Sequence, residues 1–176
     1  MPVLIALMGL RGCGKTTLAD HLAELAPRLH RLSRDEVRGQ LFSSPDYSSA
    51  KKRAIFSELL DLAERELRAG RDVLIDGMTF SRASERERAK PAAEFAGAEL
   101  MLVHCDCPLD VAVARVRRDL AAGTHPAADR DEDAVRQSAA HFAPIPSNAF
   151  RLDMTRPGDE LARELKVHIE RERPSR

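Results

Sequence analysis

The sequence predicts an α/β fold in which a parallel sheet is covered by helices on both faces. Short apolar segments alternate with segments of helical periodicity, and each apolar segment has the length of a buried strand. Strands that alternate with helices form parallel sheets with right-handed crossover connections. The 176 residues suffice for one such unit with a substantial core, so we expect a single domain over residues 1–176.

A phosphate-binding loop follows the first predicted strand, Val3–Met8. The next eight residues match the pattern G-x-x-x-x-G-K-[ST]: Gly9, Leu10, Arg11, Gly12, Cys13, Gly14, Lys15 and Thr16. A helix follows, because Leu18, Leu22 and Leu25 share one helical face. Between a strand and a helix, backbone N–H groups of such a loop hold phosphate oxygens, its lysine reaches the β- and γ-phosphates, and its threonine hydroxyl ligates Mg²⁺. The motif therefore predicts binding of a nucleoside triphosphate with magnesium.

The later elements are predicted from apolar runs, helical spacing and end signals. The strands after the first cover residues 29–32, 72–76, 99–105 and 149–153. Helical segments cover residues 33–38, 50–69, 84–95, a segment opening at Pro108, 132–141 and 159–171. Ser33 is the predicted N-cap of its helical turn, while Gly70 and Gly97 end the helices before them.

The carboxyl ends of parallel strands face the same crevice as the phosphate loop. This rule selects Asp35, Asp76 and the segment 105–107 as candidate site residues. Asp76 follows an apolar strand, the pattern of an acid that reaches Mg²⁺ directly or through water. The alternative for Asp76 is a helix cap or a turn acid.

Asp35 and Arg38 share one face of a helical turn, because they are three residues apart. Near a γ-phosphate, such a carboxylate accepts a hydroxyl proton and the arginine orients the acceptor, and phosphoryl transfer depends mainly on positioning. An ordinary surface pair has the same spacing. The spacing alone leaves these two interpretations open.

A cluster of arginines precedes a segment rich in small residues, 121–130, which we interpret as the centre of a lid over about 119–131. In a closed state, arginines from this region supply cations to the triphosphate. Helical spacing places Arg115 and Arg118 on one face and Arg117 on another. We therefore favour Arg115 and Arg118 over Arg117 and Arg130, although any exposed helix also carries arginines.

Composition disfavours several classes of protein. The formal net charge is zero, which counts against nucleic acid as the main partner. The chain shows neither an apolar run long enough to span a membrane nor a secretion signal, so we expect a cytoplasmic protein. Cys13, Cys105 and Cys107 lack the spacing of a zinc site and are expected to be reduced thiols, with Cys13 open to thiol reagents that block nucleotide entry.

Taken in order, these motifs resemble those of P-loop kinases of the AAA-type "predicted kinase" group. The motifs that carry the resemblance lie at 9–17, 33–38, 73–79, 104–108 and 113–115. The group is similar to the 5′-kinase domain of phage polynucleotide kinase, and more distantly to zeta toxins, chloramphenicol phosphotransferase and gluconate kinase. The resemblance covers nearly the whole chain and implies a three-layer α/β/α P-loop NTPase sandwich with five parallel strands in the nucleoside-monophosphate-kinase-like order 2-3-1-4-5.

The resemblance also implies roles for single residues. Lys15 and Thr16 would bind ATP·Mg²⁺, Asp35 would be the general base and Arg38 would bind the acceptor. Asp76 would lie near the metal or brace Arg38, and an arginine of the 115–118 cluster would act from the lid or lie over adenine. The chain departs from the family at Arg11 and Cys13, where small residues are usual; Arg11 either adds charge near the γ-phosphate or points to solvent.

These considerations give three sets of predicted site residues. The catalytic set is Lys15, Asp35, Arg38, Arg115 and Arg118. The nucleotide-binding set is Gly9, Arg11, Gly12, Cys13, Gly14, Lys15, Thr16, Thr17 and Arg115. The magnesium ligands are Thr16 and Asp76.

The predicted function is transfer of the γ-phosphate of ATP·Mg²⁺ to a hydroxyl of a small molecule, such as a sugar, a nucleoside or an antibiotic-like compound, by a monomer or homodimer. A polynucleotide or tRNA hydroxyl kinase is the alternative. The neutral charge and scarcity of aromatic residues disfavour it, while Lys51, Lys52 and Arg53 beside Tyr47 favour it. A non-catalytic ATP-binding sensor is an alternative of a different class.

Overall fold

Strands and helices alternate in the computed structural model, which describes residues 1–43, 48–123 and 131–172. The strands are β1 (Val3–Met8), β2 (Leu29–Ser33), β3 (Asp72–Asp76), β4 (Glu99–Asp106) and β5 (Phe150–Asp153). The helices are α1 (Lys15–Leu25), α2 (Arg34–Leu41), α3 (Ser49–Arg68), α4 (Ala83–Phe95), α5 (Leu109–Ala121), α6 (Glu132–Ala140) and α7 (Gly158–Glu172).

The five strands form one sheet in the order β2-β3-β1-β4-β5, and all neighbouring pairs are parallel. The central strand is β1, in which Ile5 lies beside Leu74 of β3 and Met101 of β4. All six residues of β1 are buried, as expected for a strand covered on both faces. The observed order confirms the order 2-3-1-4-5 that the resemblance implied.

Alternate residues of β1 enter two separate apolar layers, because successive side chains of a strand point to opposite faces. Ile5 and Leu7 pack with apolar residues of α1, α5 and α7, whereas Leu4 and Ala6 pack with those of α2, α3 and α4. The sheet therefore forms the middle of three layers, which confirms the predicted α/β/α sandwich. In the described part of the chain, no helix is both long enough and apolar enough to cross a membrane.

The predicted element bounds agree with the observed ones to within about three residues. Ser33 caps α2, since its Oγ accepts a hydrogen bond from the Glu36 N–H at 3.4 Å. Most of the predicted lid lies outside the described residues, because α5 ends at Ala121 and residues 124–130 are not described. Tyr47 and Arg130 also lie outside the described residues. The lid therefore stays a prediction.

Candidate active site

The phosphate loop joins β1 to α1 at the carboxyl edge of the sheet. Its turn uses Gly12 at φ +75° and Gly14 at φ +99°, a left-handed conformation that glycine adopts without strain. Packing also requires glycine at position 12, where a Cβ would lie 2.6 Å from Val116 Cγ2 and 2.7 Å from the Ala112 carbonyl oxygen of α5. The Gly9 N–H donates to the Thr79 carbonyl at 3.1 Å. The loop is thus held by the β3–α4 connection on one side and by α5 on the other.

Lys15 folds back onto its own loop. Its Nζ donates hydrogen bonds to the carbonyl oxygens of Gly9, at 2.9 Å, and Leu10, at 2.7 Å. The ammonium group is therefore held beside the loop whose phosphate it is predicted to bind. A phosphate oxygen would compete with these two carbonyls for the same donor.

The side chain of Cys13 lies beneath the loop, in the core, and is fully buried. The expectation that thiol reagents reach it at the nucleotide entrance is therefore wrong, although all three cysteines are free thiols, as predicted. The Cys105 thiol donates to the Cys13 sulfur and Lys15 Nζ lies 3.6 Å from it, which together outweigh burial and lower the pKa of Cys13 to about 6. The same hydrogen bond to Cys13, together with burial, raises the pKa of the Cys105 thiol.

Thr16 and Asp76 are brought together at the end of β3. The Thr16 hydroxyl donates to Asp76 Oδ1 at 3.2 Å, and Asp76 is nearly fully buried. The other carboxylate oxygen accepts a hydrogen bond from Arg31 Nη2 at 2.5 Å, and Arg31 also pairs with Asp20. Burial lowers the pKa of Arg31, but its bonds to Asp76 and Asp20 raise it by more, so the net shift is upward. Asp76 therefore pairs with Arg31. The alternative prediction, in which Asp76 braces Arg38, is wrong.

A hydroxyl and a carboxylate at this separation fit a magnesium ion that takes its other ligands from phosphate and water. Across residues 1–43, 48–123 and 131–172, no group of three or more His, Cys, Asp or Glu side chains could hold a metal without such help. Thr16 and Asp76 therefore stay the predicted magnesium ligands of this chain.

Asp35 lies in the first turn of α2 with its side chain about half exposed, at 47%. Its Oδ1 pairs with Arg38 Nη1 at 3.1 Å and with Arg34 Nη2 at 3.4 Å. Asp35 and Arg38 are thus in contact, as their spacing predicted. Arg34 is an additional partner, and both arginines line a cleft from which Asp35 itself is set back.

Arg115 and Arg118 face the phosphate loop, whereas Arg117 points to α6, as the helical spacing predicted. Arg115 donates from Nη1 to the Cys13 carbonyl and from Nη2 to the Met154 carbonyl, each at 2.9 Å. It therefore fastens the loop to the end of β5. The Arg118 side chain is 76% exposed and pairs with Asp119, while Arg117 binds Glu132 through two hydrogen bonds, at 2.6 and 2.8 Å.

Two clefts meet at the carboxyl edge of the sheet. The first, of about 370 Å³, surrounds the phosphate loop from Arg11 to Thr17 and continues to Arg118, Met154 and Leu161. The second, of about 590 Å³, lies between α2, α3, α4 and α6. Four residues line both clefts, namely Arg11, Arg34, Met78 and Thr79. A molecule in one cleft would therefore abut a molecule in the other.

Sequence reasoning missed Arg31 and Arg34. Ser33 of β2 is the partner of Asp76 in the sheet, and Arg31 stands two positions before Ser33. The side chains of Arg31 and Asp76 therefore lie diagonally on one face of the sheet. The alternation of β2 was the only signal for it. Arg34 directly precedes Asp35, but adjacent residues of a helix do not usually face each other, and no pattern singled it out.

The comparisons with known proteins agree with this geometry. A family model described as an AAA domain (AAA_33) matches residues 4–145, a range that includes the phosphate loop, Asp35, Asp76 and the arginines of α5. A search of curated proteins by sequence gave no match.

Three solved structures illustrate the shared fold. The APS kinase CysC of Mycobacterium tuberculosis, in complex with AMPPNP and APS, has a TM-score of 0.73 at 23% identity over 96% of this chain and 98% of its own. A gluconokinase from Sinorhizobium meliloti 1021 has a TM-score of 0.67 at 15% identity over 97% of this chain and 92% of its own. A chain of the Pnkp1/Rnl/Hen1 RNA repair complex has a TM-score of 0.66 at 21% identity, over 86% of this chain and 50% of its own. The fold is that of P-loop kinases.

Proposed function

Because the chain belongs to the AAA domain family (AAA_33) and has the fold of P-loop kinases, we propose that it transfers the γ-phosphate of ATP to a hydroxyl of a small molecule. The observation that carries this proposal is the pair of clefts that meet at Arg11, Arg34, Met78 and Thr79. A kinase needs a donor and an acceptor held end to end, and the shared lining provides that arrangement.

The first cleft is the proposed nucleotide site. The backbone N–H groups of residues 11–17 hold the phosphates at the N-terminus of α1, and Lys15 exchanges its two carbonyl partners for phosphate oxygens. Met154 and Leu161, which also line this cleft, offer apolar contacts to the base. Thr16 and Asp76 would hold Mg²⁺, which when bound neutralises charge on the phosphates.

Arg31 is proposed as the positioning residue for this metal site. It fixes one oxygen of Asp76, so the other oxygen stays directed at Thr16. Arg115 has a corresponding role for the loop itself, because its two bonds to backbone carbonyls set the distance between the loop and β5.

The second cleft is the proposed acceptor site. Asp35 is the proposed general base, and this proposal is supported by its pairing with Arg34, which lines both clefts, and with Arg38, which lines the second. The acceptor oxygen forms a bond to the γ-phosphorus, the bond from that phosphorus to the β–γ bridging oxygen breaks, and ADP leaves. The hydroxyl proton passes to Asp35. Arg34 and Arg11 lie where charge develops on the transferred group.

Transfer of ³²P from γ-labelled ATP·Mg²⁺ to a mixed panel of nucleosides, sugars, hydroxylated antibiotics and 5′-hydroxyl oligonucleotides tests the proposal. We expect label on an acceptor, and we expect Asp35→Asn to remove the transfer while ATP affinity stays nearly the same. The matched control is Asp61→Asn, a surface acid on α3 outside both clefts. Full transfer by Asp35→Asn would rule out its role as the base.

A polynucleotide or tRNA hydroxyl kinase is the second candidate. It is favoured by the basic side chains of α3, Lys52 and Arg53, which line the second cleft, and by the fold shared with a chain of an RNA repair complex. The oligonucleotide in the panel distinguishes this candidate. Label only on the oligonucleotide would favour it over a small-molecule kinase.

A further inference from the structure

We propose that the acceptor is a small molecule that carries an anionic group, such as a phosphate or sulfate ester or a carboxylate, in addition to the hydroxyl that receives the phosphate. This inference rests on the proposed kinase function and narrows its substrate class. It comes from the charge of the second cleft, which neither composition nor any local motif reveals.

The described residues that line the second cleft include seven with cationic side chains and one with a carboxylate. The cationic residues are Arg11, Arg34, Arg38, Lys52, Arg53, Arg82 and Arg88. The carboxylate is Glu85, which is already engaged at the start of α4, where Oε2 accepts a hydrogen bond from the Arg82 N–H at 3.2 Å. Asp35 adds one more negative charge beside the cleft, on Arg34 and Arg38. The cations still outnumber these acids by a wide margin.

The position of Lys52 fits a charge that serves binding. Lys52 lies at the start of α3, whose first turn holds no acidic residue. Cations at this end of a helix are unfavourable, because the N-terminus carries the positive end of the helix dipole. A cleft lined by charges of one sign concentrates ligands of the opposite sign. The cations of this cleft would therefore attract the anionic group of a ligand.

The arrangement of the cations orients the acceptor. Arg11 and Arg34 belong to both clefts and so mark the end nearest the transferred phosphate. Lys52, Arg53 and Arg82 line the second cleft and not the first. The hydroxyl of the acceptor therefore lies toward Arg11 and Arg34, and its anionic group toward Lys52, Arg53 and Arg82.

The size and lining of the cleft favour a small molecule over a nucleic-acid strand. A volume of about 590 Å³ lies within the range of sites that hold single small ligands. Single-strand binding sites usually present aromatic faces to successive bases. The aromatic rings lining the described part of this cleft are those of Phe56 and His141, and Arg88 covers Phe56 at 4.8 Å while Phe80 meets it edge-on.

The first test measures anion binding while the nucleotide site is filled. The melting temperature of the protein is recorded with saturating AMPPNP·Mg²⁺ in phosphate and in chloride at equal ionic strength. We expect a higher melting temperature in phosphate, and a smaller difference in the double variant Lys52→Gln/Arg53→Gln. The matched control is Arg65→Gln, which removes a cation from the same helix outside the cleft. Equal melting temperatures in the two salts would overturn the inference, whereas the absence of any shift with AMPPNP would overturn the proposed nucleotide site instead.

The second test compares phosphoryl transfer to paired acceptors: ribose with ribose 5-phosphate, glucose with glucose 6-phosphate, and adenosine with AMP. We expect transfer to an ester to exceed transfer to its neutral partner, and KM for that ester to rise about tenfold in Lys52→Gln/Arg53→Gln, as two exposed ion pairs would give. KM for ATP should not change. Preference for the neutral partners would refute the anionic acceptor while leaving the kinase intact, and preference for a 5′-hydroxyl oligonucleotide over every ester would refute a small-molecule acceptor.

Discussion

Replacing Gly12 with alanine isolates the steric demand of the phosphate loop. The new Cβ would lie 2.6 Å from Val116 Cγ2 and 2.7 Å from the Ala112 carbonyl, both of α5, at a φ of +75°. The left-handed backbone costs a residue with a Cβ about 1–2 kcal/mol. Overpacking against α5 adds about 1–3 kcal/mol. We therefore expect Gly12→Ala to lower the free energy of unfolding by about 2–5 kcal/mol, a large share of a typical domain's stability.

Gly70→Ala is the matched control. Gly70 has a nearly identical φ of +80°, but a Cβ there would meet no atom within 4 Å. This variant should lose only the backbone term, about 1–2 kcal/mol. Urea unfolding of the two variants, followed by circular dichroism, gives the difference directly. Equal losses in both variants would refute the argument that α5 confines the loop.

A double variant tests the contact itself. Val116→Ala removes the methyl group nearest to the new Cβ, so the cost of Gly12→Ala should be smaller in the Val116→Ala background. Part of the cost should remain, because the Ala112 carbonyl at 2.7 Å belongs to the backbone. Additive losses would show that the two residues are not coupled.

Three further predictions concern the candidate active site. Lys15→Ala should lower kcat about 10³-fold, as removal of comparable phosphate-binding cations does, and unchanged turnover in a transfer assay would contradict its role. Arg31→Met should leave the buried Asp76 charge unpaired and cost about 1–3 kcal/mol in urea unfolding, with weaker Mg²⁺-dependent ATP binding; retention of both would contradict the bracing role. Because the folded pKa of Cys13, about 6, is below its unfolded value, Cys13 should add stability as the pH rises from about 6 toward 9, and this contribution should be lost below about 6. The stability difference between the parent protein and Cys13→Ala should follow this course, and a difference independent of pH would contradict the lowered pKa.

Features set by contiguous residues were predictable from the sequence. The phosphate loop and its flanking strand and helix follow from one motif, and Ser33 and the Asp35–Arg38 pair follow from helical spacing. The proximity of Thr16 and Asp76 followed from a rule of topology. Asp76 ends the parallel strand β3, and Thr16 follows the loop at the end of its neighbour β1, so both lie at the carboxyl edge of the sheet. Each of these depends on a short segment or on the order of the strands.

Features that depend on contacts between distant segments could not be predicted. Arg31 reaches Asp76 only because β2 pairs with β3 in a register that no single segment specifies. Cys13 occupies a loop position that sequence reasoning assigned to the nucleotide entrance, yet its side chain turns toward Cys105 of β4 in the core. The motif fixed the backbone of the loop and left the direction of this side chain open.

The charge of the second cleft differs from the net charge of the chain. The formal net charge of the chain is zero, and that balance argued against nucleic acid as the main partner. Many of the acids that produce it lie elsewhere, for example on α7, where Glu164 pairs with Arg156 and Asp159 with Arg163. The cations of the cleft come from the phosphate loop, α2, α3 and the start of α4, which only the fold brings together. A ligand responds to the local potential of its cleft, so a neutral chain can hold a strongly anionic acceptor.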